Sequence, residues 1–96
     1  YVFYFIEALQ QAAQELGFAP AAARALALGT FAGAVKLAAG ASEDIATLRA
    51  RVTSKGGTTE RAIAQMDADR IKARIVTAVR AAAQRSRELG AEFGKD

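Results

Sequence analysis

Ninety-six residues, with thirteen Lys/Arg against ten Asp/Glu, carry a formal net charge of +3, a length that fits one domain with a small core. The chain has neither cysteine nor histidine, which rules out a disulfide frame and closes zinc, haem and Ser-His-Asp readings; the lack of cysteine fits a reducing, cytoplasmic setting. Apolar residues make up 52%, alanine is abundant and there is one proline, the composition of an all-α domain whose helices approach closely.

The chain opens on Tyr1-Val2-Phe3-Tyr4-Phe5-Ile6 rather than on methionine, and so reads as a piece of a longer polypeptide. No charged segment or cleavage site precedes that run, so a secretory signal is not expected. Val2, Ile6, Leu9, Ala13 and Leu16 recur at three and four, with Phe5 and Ala12 beside them, which predicts a helix over 2–16 stopped by Gly17. Pro20 suits the first turn of a second helix, running to about 37–38 and closed by Gly40.

That second helix is apolar nearly all round and about long enough to span a bilayer. Arg24 and Lys36 lie within it and are costly in lipid, so a central helix surrounded by protein is the favoured reading. Gly29 and Gly33 let a neighbouring backbone come close. A helix without a polar face needs cover, and in so short a chain a second copy is the natural source.

Ser42, followed by Glu43 and Asp44, reads as the N-cap of a short third helix ending near Arg51. A loop follows, then a brief fourth helix from Thr58 or Thr59 to Met66. Asp67 or Asp69 is expected to cap a long last helix reaching about Phe93. There Ile71, Ile75, Val79, Ala82, Ser86, Leu89 and Phe93 form one stripe, with Arg70, Lys72, Arg74, Arg80, Arg85 and Arg87 around it. A basic amphipathic helix can dock on nucleic acid or a membrane. Glu88 and Glu92 interrupt the basic face and no aromatic platform is interleaved with it, so a solvated flank is the favoured reading, with neither nucleic acid nor membrane as partner.

The loop Val52-Thr53-Ser54-Lys55-Gly56-Gly57-Thr58-Thr59 is the longest stretch that cannot be read as a helix face. A helix N-terminus exposes unpaired N–H groups and the positive end of a dipole, and so can hold a carboxylate or phosphate. Gly56 and Gly57 allow close approach, while Thr58 and Thr59 offer a cap and a spare hydroxyl. The plain alternative is a flexible loop ahead of an ordinary threonine N-cap.

These residues resemble the substrate-loop signature of pyrroline-5-carboxylate reductases. Tyr1 to Leu9 is similar to the start of that family's C-terminal helical domain. Leu28-Gly29 through Ala34-Val35-Lys36-Leu37 is similar to its central helix, and Ala81-Ala82-Ala83-Gln84-Arg85-Ser86-Arg87-Glu88-Leu89-Gly90 to its final one. The resemblance covers all 96 residues as one helical dimerisation and substrate-binding domain. It implies about five helices intertwined with a second chain, in the manner of 6-phosphogluconate dehydrogenase C-terminal domains. The family's dinucleotide-binding half, with its Gly-rich strand–turn–helix, has no counterpart here.

The activity implied is reduction of 1-pyrroline-5-carboxylate to L-proline, the last step of proline biosynthesis, with hydride from NADPH or NADH. Ser54, Gly56, Gly57, Thr58 and Thr59 would bind the substrate. The Gly57 and Thr58 amides would face its carboxylate, Ser54 would add its hydroxyl or amide, and Thr59 would hydrogen-bond the imine nitrogen. No metal is implied, and no cofactor-binding residue is assigned. Many members carry proline where this chain has Lys55; the lysine either stands near the anion or points to solvent. The resemblance also implies a homodimer that can join into larger assemblies. A non-catalytic helical oligomerisation module is the competing reading.

Overall fold

The computed structural model describes residues 1–94, without the side chain of Phe93. It contains five helices, α1 (Val2–Glu15), α2 (Pro20–Ala39), α3 (Ile45–Arg51), α4 (Thr58–Ala68) and α5 (Ile71–Phe93), and no strand among those residues. The chain divides into two units, residues 1–49 and residues 50 onward.

In the first unit, α1 packs on α2. A Schellman arrangement ends α1: the Gly17 N–H donates to the Gln14 carbonyl at 3.0 Å, the Phe18 N–H to the Ala13 carbonyl at 3.1 Å, and Gly17 has φ 107°. Pro20 then starts α2 at a position whose N–H would have no helical acceptor. Along α2 the residues turned inward are Ala23 and Ala27, which are 0% and 1% exposed, with Phe31 and Ala38 half-buried. On α1, Phe5, Ile6, Gln10 and Ala13 are half-buried. The contact is thus made through alanine, which lets the two backbones come close.

The rest of α2 lacks the surrounding expected of a central helix. Leu26, Leu28, Val35 and Leu37 are exposed, the last two by 64% and 67%. A Cβ added at Gly29 or Gly33 would meet nothing within 4 Å. Of the predicted α1 stripe, Val2 and Leu16 are also exposed, Leu16 by 81%. Within residues 1–49, α1 occupies a single side of a helix that is apolar nearly all round, so the other sides of α2 are left open there. Among the described residues α2 alone is long and apolar enough to cross a membrane, although Arg24 and Lys36 lie within it.

The cap of α3 is Asp44 and not Ser42. The Thr47 N–H donates to Asp44 Oδ1 at 2.8 Å, whereas the Ser42 hydroxyl donates to Glu43 Oε1 at 3.3 Å. The helix begins at Ile45, so Asp44 is the residue whose side chain reaches the third N–H. Hydrogen bonds from the Thr47 side chain and backbone hold the Asp44 carboxyl below its ordinary value.

In the second unit, α4 packs on α5. Neither Asp67 nor Asp69 caps α5. Asp67 lies within α4, and Asp69 is its C-terminal cap, accepting from the Gln65 side-chain amide at 3.0 Å. The break is made by Arg70, a left-handed residue with φ 57°, whose N–H donates to the Asp67 carbonyl at 3.0 Å. On α5, Ala82 and Leu89 are half-buried, while Ile71, Ile75 and Val79 stay partly exposed, and Ser86 is exposed. The stripe is therefore only partly used within the chain. Its predicted member Phe93 has its side chain outside the described residues. Arg85 pairs with Glu88 at 3.2 Å, so part of the basic flank is balanced on its own helix.

Candidate functional site

The loop after α3 closes as a tight turn. The Gly57 N–H donates to the Ser54 carbonyl at 3.0 Å, and Gly56 has φ 74°. With Lys55 outside the left-handed region, this is the type II pattern, which wants glycine at its third position and accepts many residues, proline included, at its second. Lys55 occupies that second position, exposed, so lysine and proline serve the same turn. Gly57 is favoured for a different reason: a Cβ there would stand 3.1 Å from the Ser54 oxygen and 3.4 Å from the Ser54 Cβ, so the turn would have to give slightly.

The turn delivers Gly57, in extended conformation, as the N-cap residue of α4. The threonines are therefore not the cap: Thr58 and Thr59 are the first and second helical residues, and no side chain caps the helix through its own hydroxyl. The first helical bond runs from the Arg61 N–H to the Gly57 carbonyl at 3.2 Å. Among the described residues the N–H groups of Thr58 and Thr59 have no acceptor in the chain, as the geometry of a first helical turn requires. Both side chains are exposed, as is Ser54.

The five predicted residues are thus brought together on one turn and one helix start, but they do not play equal parts. The Gly57 amide, expected to face a substrate carboxylate, is engaged by the Ser54 carbonyl; a turn cannot close and leave that donor free. The Gly56 amide is engaged as well, donating to Glu60 Oε1 at 2.9 Å. What remains open is the run of amides at Thr58, Thr59 and Glu60, with the positive end of the α4 dipole behind them.

Glu60 is the participant that the sequence reading missed. It is the third residue of α4, and Gly57-Thr58-Thr59-Glu60 has the spacing at which a glutamate reaches back over a helix N-terminus. In the usual arrangement it meets the N-cap N–H. Here that N–H already belongs to the turn, and the carboxylate reaches one residue further, to Gly56. Such a site can hold a small anion against main-chain donors. It offers no general base of the histidine kind and, across the described residues, no cluster of metal-ligating side chains.

Comparison with known proteins agrees on one family. The family model described as pyrroline-5-carboxylate reductase dimerisation matches residues 1–89. A pyrroline-5-carboxylate reductase of Pseudomonas aeruginosa is 39% identical over 95 residues, covering 99% of this chain and 35% of that protein. Pyrroline-5-carboxylate reductase 2 of Bacillus subtilis is 36% identical over 93 residues, covering 97% and 34%. Among solved structures, the Plasmodium falciparum pyrroline carboxylate reductase with NADP bound superposes with a TM-score of 0.90 at 28% identity, covering 94% of this chain and 34% of that one. The chain spans about a third of the length of these relatives.

Proposed function

Because the chain belongs to the pyrroline-5-carboxylate reductase dimerisation family, we propose that it is the dimerisation and substrate-binding part of an enzyme that reduces 1-pyrroline-5-carboxylate to L-proline. The observation that carries this reading is the 54–57 turn, which sets the open amides of Thr58 and Thr59 at the start of α4. A ring carboxylate is a small, planar anion, and two adjacent main-chain donors at a helix start suit it.

In this reading the amides of Thr58 and Thr59 take the carboxylate, and Ser54 adds its hydroxyl. Gly56 and Gly57 shape the turn, and the Thr59 hydroxyl hydrogen-bonds the ring nitrogen. Fixing both ends of the ring presents one face to the reductant and converts an encounter into an oriented approach. The reductant is NADPH or NADH, which supplies hydride when bound. The residues of this chain place their paired glycines in a turn rather than at a strand–helix junction. No step through the cofactor is therefore assigned to them. Their work is to bind, orient and shield the acid.

The second part of the proposal is self-association. The exposed apolar side chains of α1 and α2, and the open backbone at Gly29 and Gly33, give a second copy a surface on which to pack. A homodimer able to join larger assemblies accounts for what one chain leaves uncovered, and a cytoplasmic setting accords with the absence of cysteine.

The test is Thr59→Ala in a full-length reductase carrying this chain. The KM for the imine acid should rise, and kcat/KM should fall by about one to three orders of magnitude, as loss of a hydrogen bond to a polar substrate requires. Unchanged kinetics would remove Thr59 from the site.

A further inference from the structure

Glu60 has a place in this site beyond capping a helix. We propose that it is a positioning residue for substrate binding: by holding the Gly56 amide, its carboxylate keeps the 54–57 turn closed and the Thr58 and Thr59 amides presented to the incoming acid. The inference rests on the reading of that turn as the substrate site and adds to it the group that maintains its shape.

Little else holds the turn. Gly56 sits at φ 74°, one of many conformations that glycine samples freely. Lys55 does not fix the preceding φ as a proline would. The described turn has one main-chain bond across it, from the Gly57 N–H to the Ser54 carbonyl. The second restraint is the 2.9 Å bond from the Gly56 N–H to Glu60 Oε1. It is charge-assisted, and it ties Gly56 to the first turn of a regular helix.

The same carboxylate brings a negative charge to the end of α4 where the acid is to bind. Its two effects oppose one another: the bond orders the donors, while the charge weakens the field that attracts an anion. Removing the charge while keeping an acceptor therefore differs in outcome from removing both. That difference separates a positioning role from a merely structural cap.

The experiment compares Glu60→Ala, Glu60→Gln and Glu60→Asp in the full-length reductase, with Thr59→Ala as the reference for the site. Glu60→Ala should raise the KM for the imine acid about three- to tenfold while kcat stays within about twofold, the signature of donors that must be ordered on binding. Glu60→Gln, whose amide oxygen can still accept from Gly56, should restore a KM at or below that of the parent enzyme. Glu60→Asp keeps the charge but stands one methylene short, so it should behave like the alanine variant and keeps the test decisive if Glu60→Ala fails to fold. Glu60→Ala or Glu60→Asp with the parent KM, or Glu60→Gln as impaired as the other two, overturns the proposal. If Thr59→Ala is silent too, the substrate site itself is misplaced; if Thr59→Ala is impaired, only the role of Glu60 is lost.

Discussion

The two units of this chain are ordered by different physics. In residues 1–49 the two long helices are held to each other by packing: α1 lies on α2, with Ala23 and Ala27 buried, and large apolar side chains remain uncovered around them. From residue 50 onward the site is ordered by local hydrogen bonds, Gly57 to Ser54 and Gly56 to Glu60, which need no distant partner. Where order depends on packing, the element is complete only when something else arrives to bury it. Where it depends on bonds between near neighbours, the geometry is already present in one chain. A ligand site belongs on the second kind of structure and a docking surface on the first.

The contrast can be broken from either side. On the packing side the largest effect is expected from Gly33→Leu. The new side chain points into open space within the chain, so helix content should be kept or slightly raised, since leucine is the better helix former. A close backbone approach by a second copy would be blocked, and a clash worth about 1–3 kcal/mol would recur in each protomer of a symmetric pair. Sedimentation at micromolar concentration should show the parent fragment as a dimer or larger species without folded monomer, and the variant shifted to smaller species. Identical sedimentation of the two would show that this face of α2 carries no contact.

A smaller effect is expected on the local side. Gly56→Ala forces a side chain into a left-handed position, at a cost of about 1 kcal/mol, and should lower the thermal midpoint while leaving the oligomeric state alone. Unchanged melting would mean that the turn does not hold this conformation in solution. The comparison is sharpened if Gly33→Leu alters assembly without altering substrate affinity, and Gly56→Ala does the reverse.

Legibility in the sequence follows the same division. The bounds of α1 and α2 were open to reading because Gly17 and Pro20 act through their own backbones. The cap of α3 was not, since Ser42 and Asp44 are both able caps and only the start of the helix at Ile45 decides between them. The α4–α5 junction was hidden for a stronger reason. It is made by an arginine in a conformation that few side chains adopt, with neither glycine nor proline to announce it, and the flanking aspartates imitate caps. At the site, the paired glycines and threonines declared the place but not the assignment of donors. Whether the Gly57 amide is free depends on turn closure. The reach of Glu60 to Gly56 follows from that closure and not from spacing alone. The exposure of α2 could be foreseen from its lack of a polar face, but what covers it cannot be read from residues 1–49.

In the proposed function the Thr58 and Thr59 amides, open at the start of α4, take the carboxylate of the ring acid. The most direct measurement is a crystal structure of the full-length reductase carrying this chain, with L-proline bound. Proline carboxylate oxygens should lie about 3 Å from the Thr58 and Thr59 nitrogens, with Glu60 still on Gly56. A proline bound elsewhere, with those two amides facing only water, would contradict it.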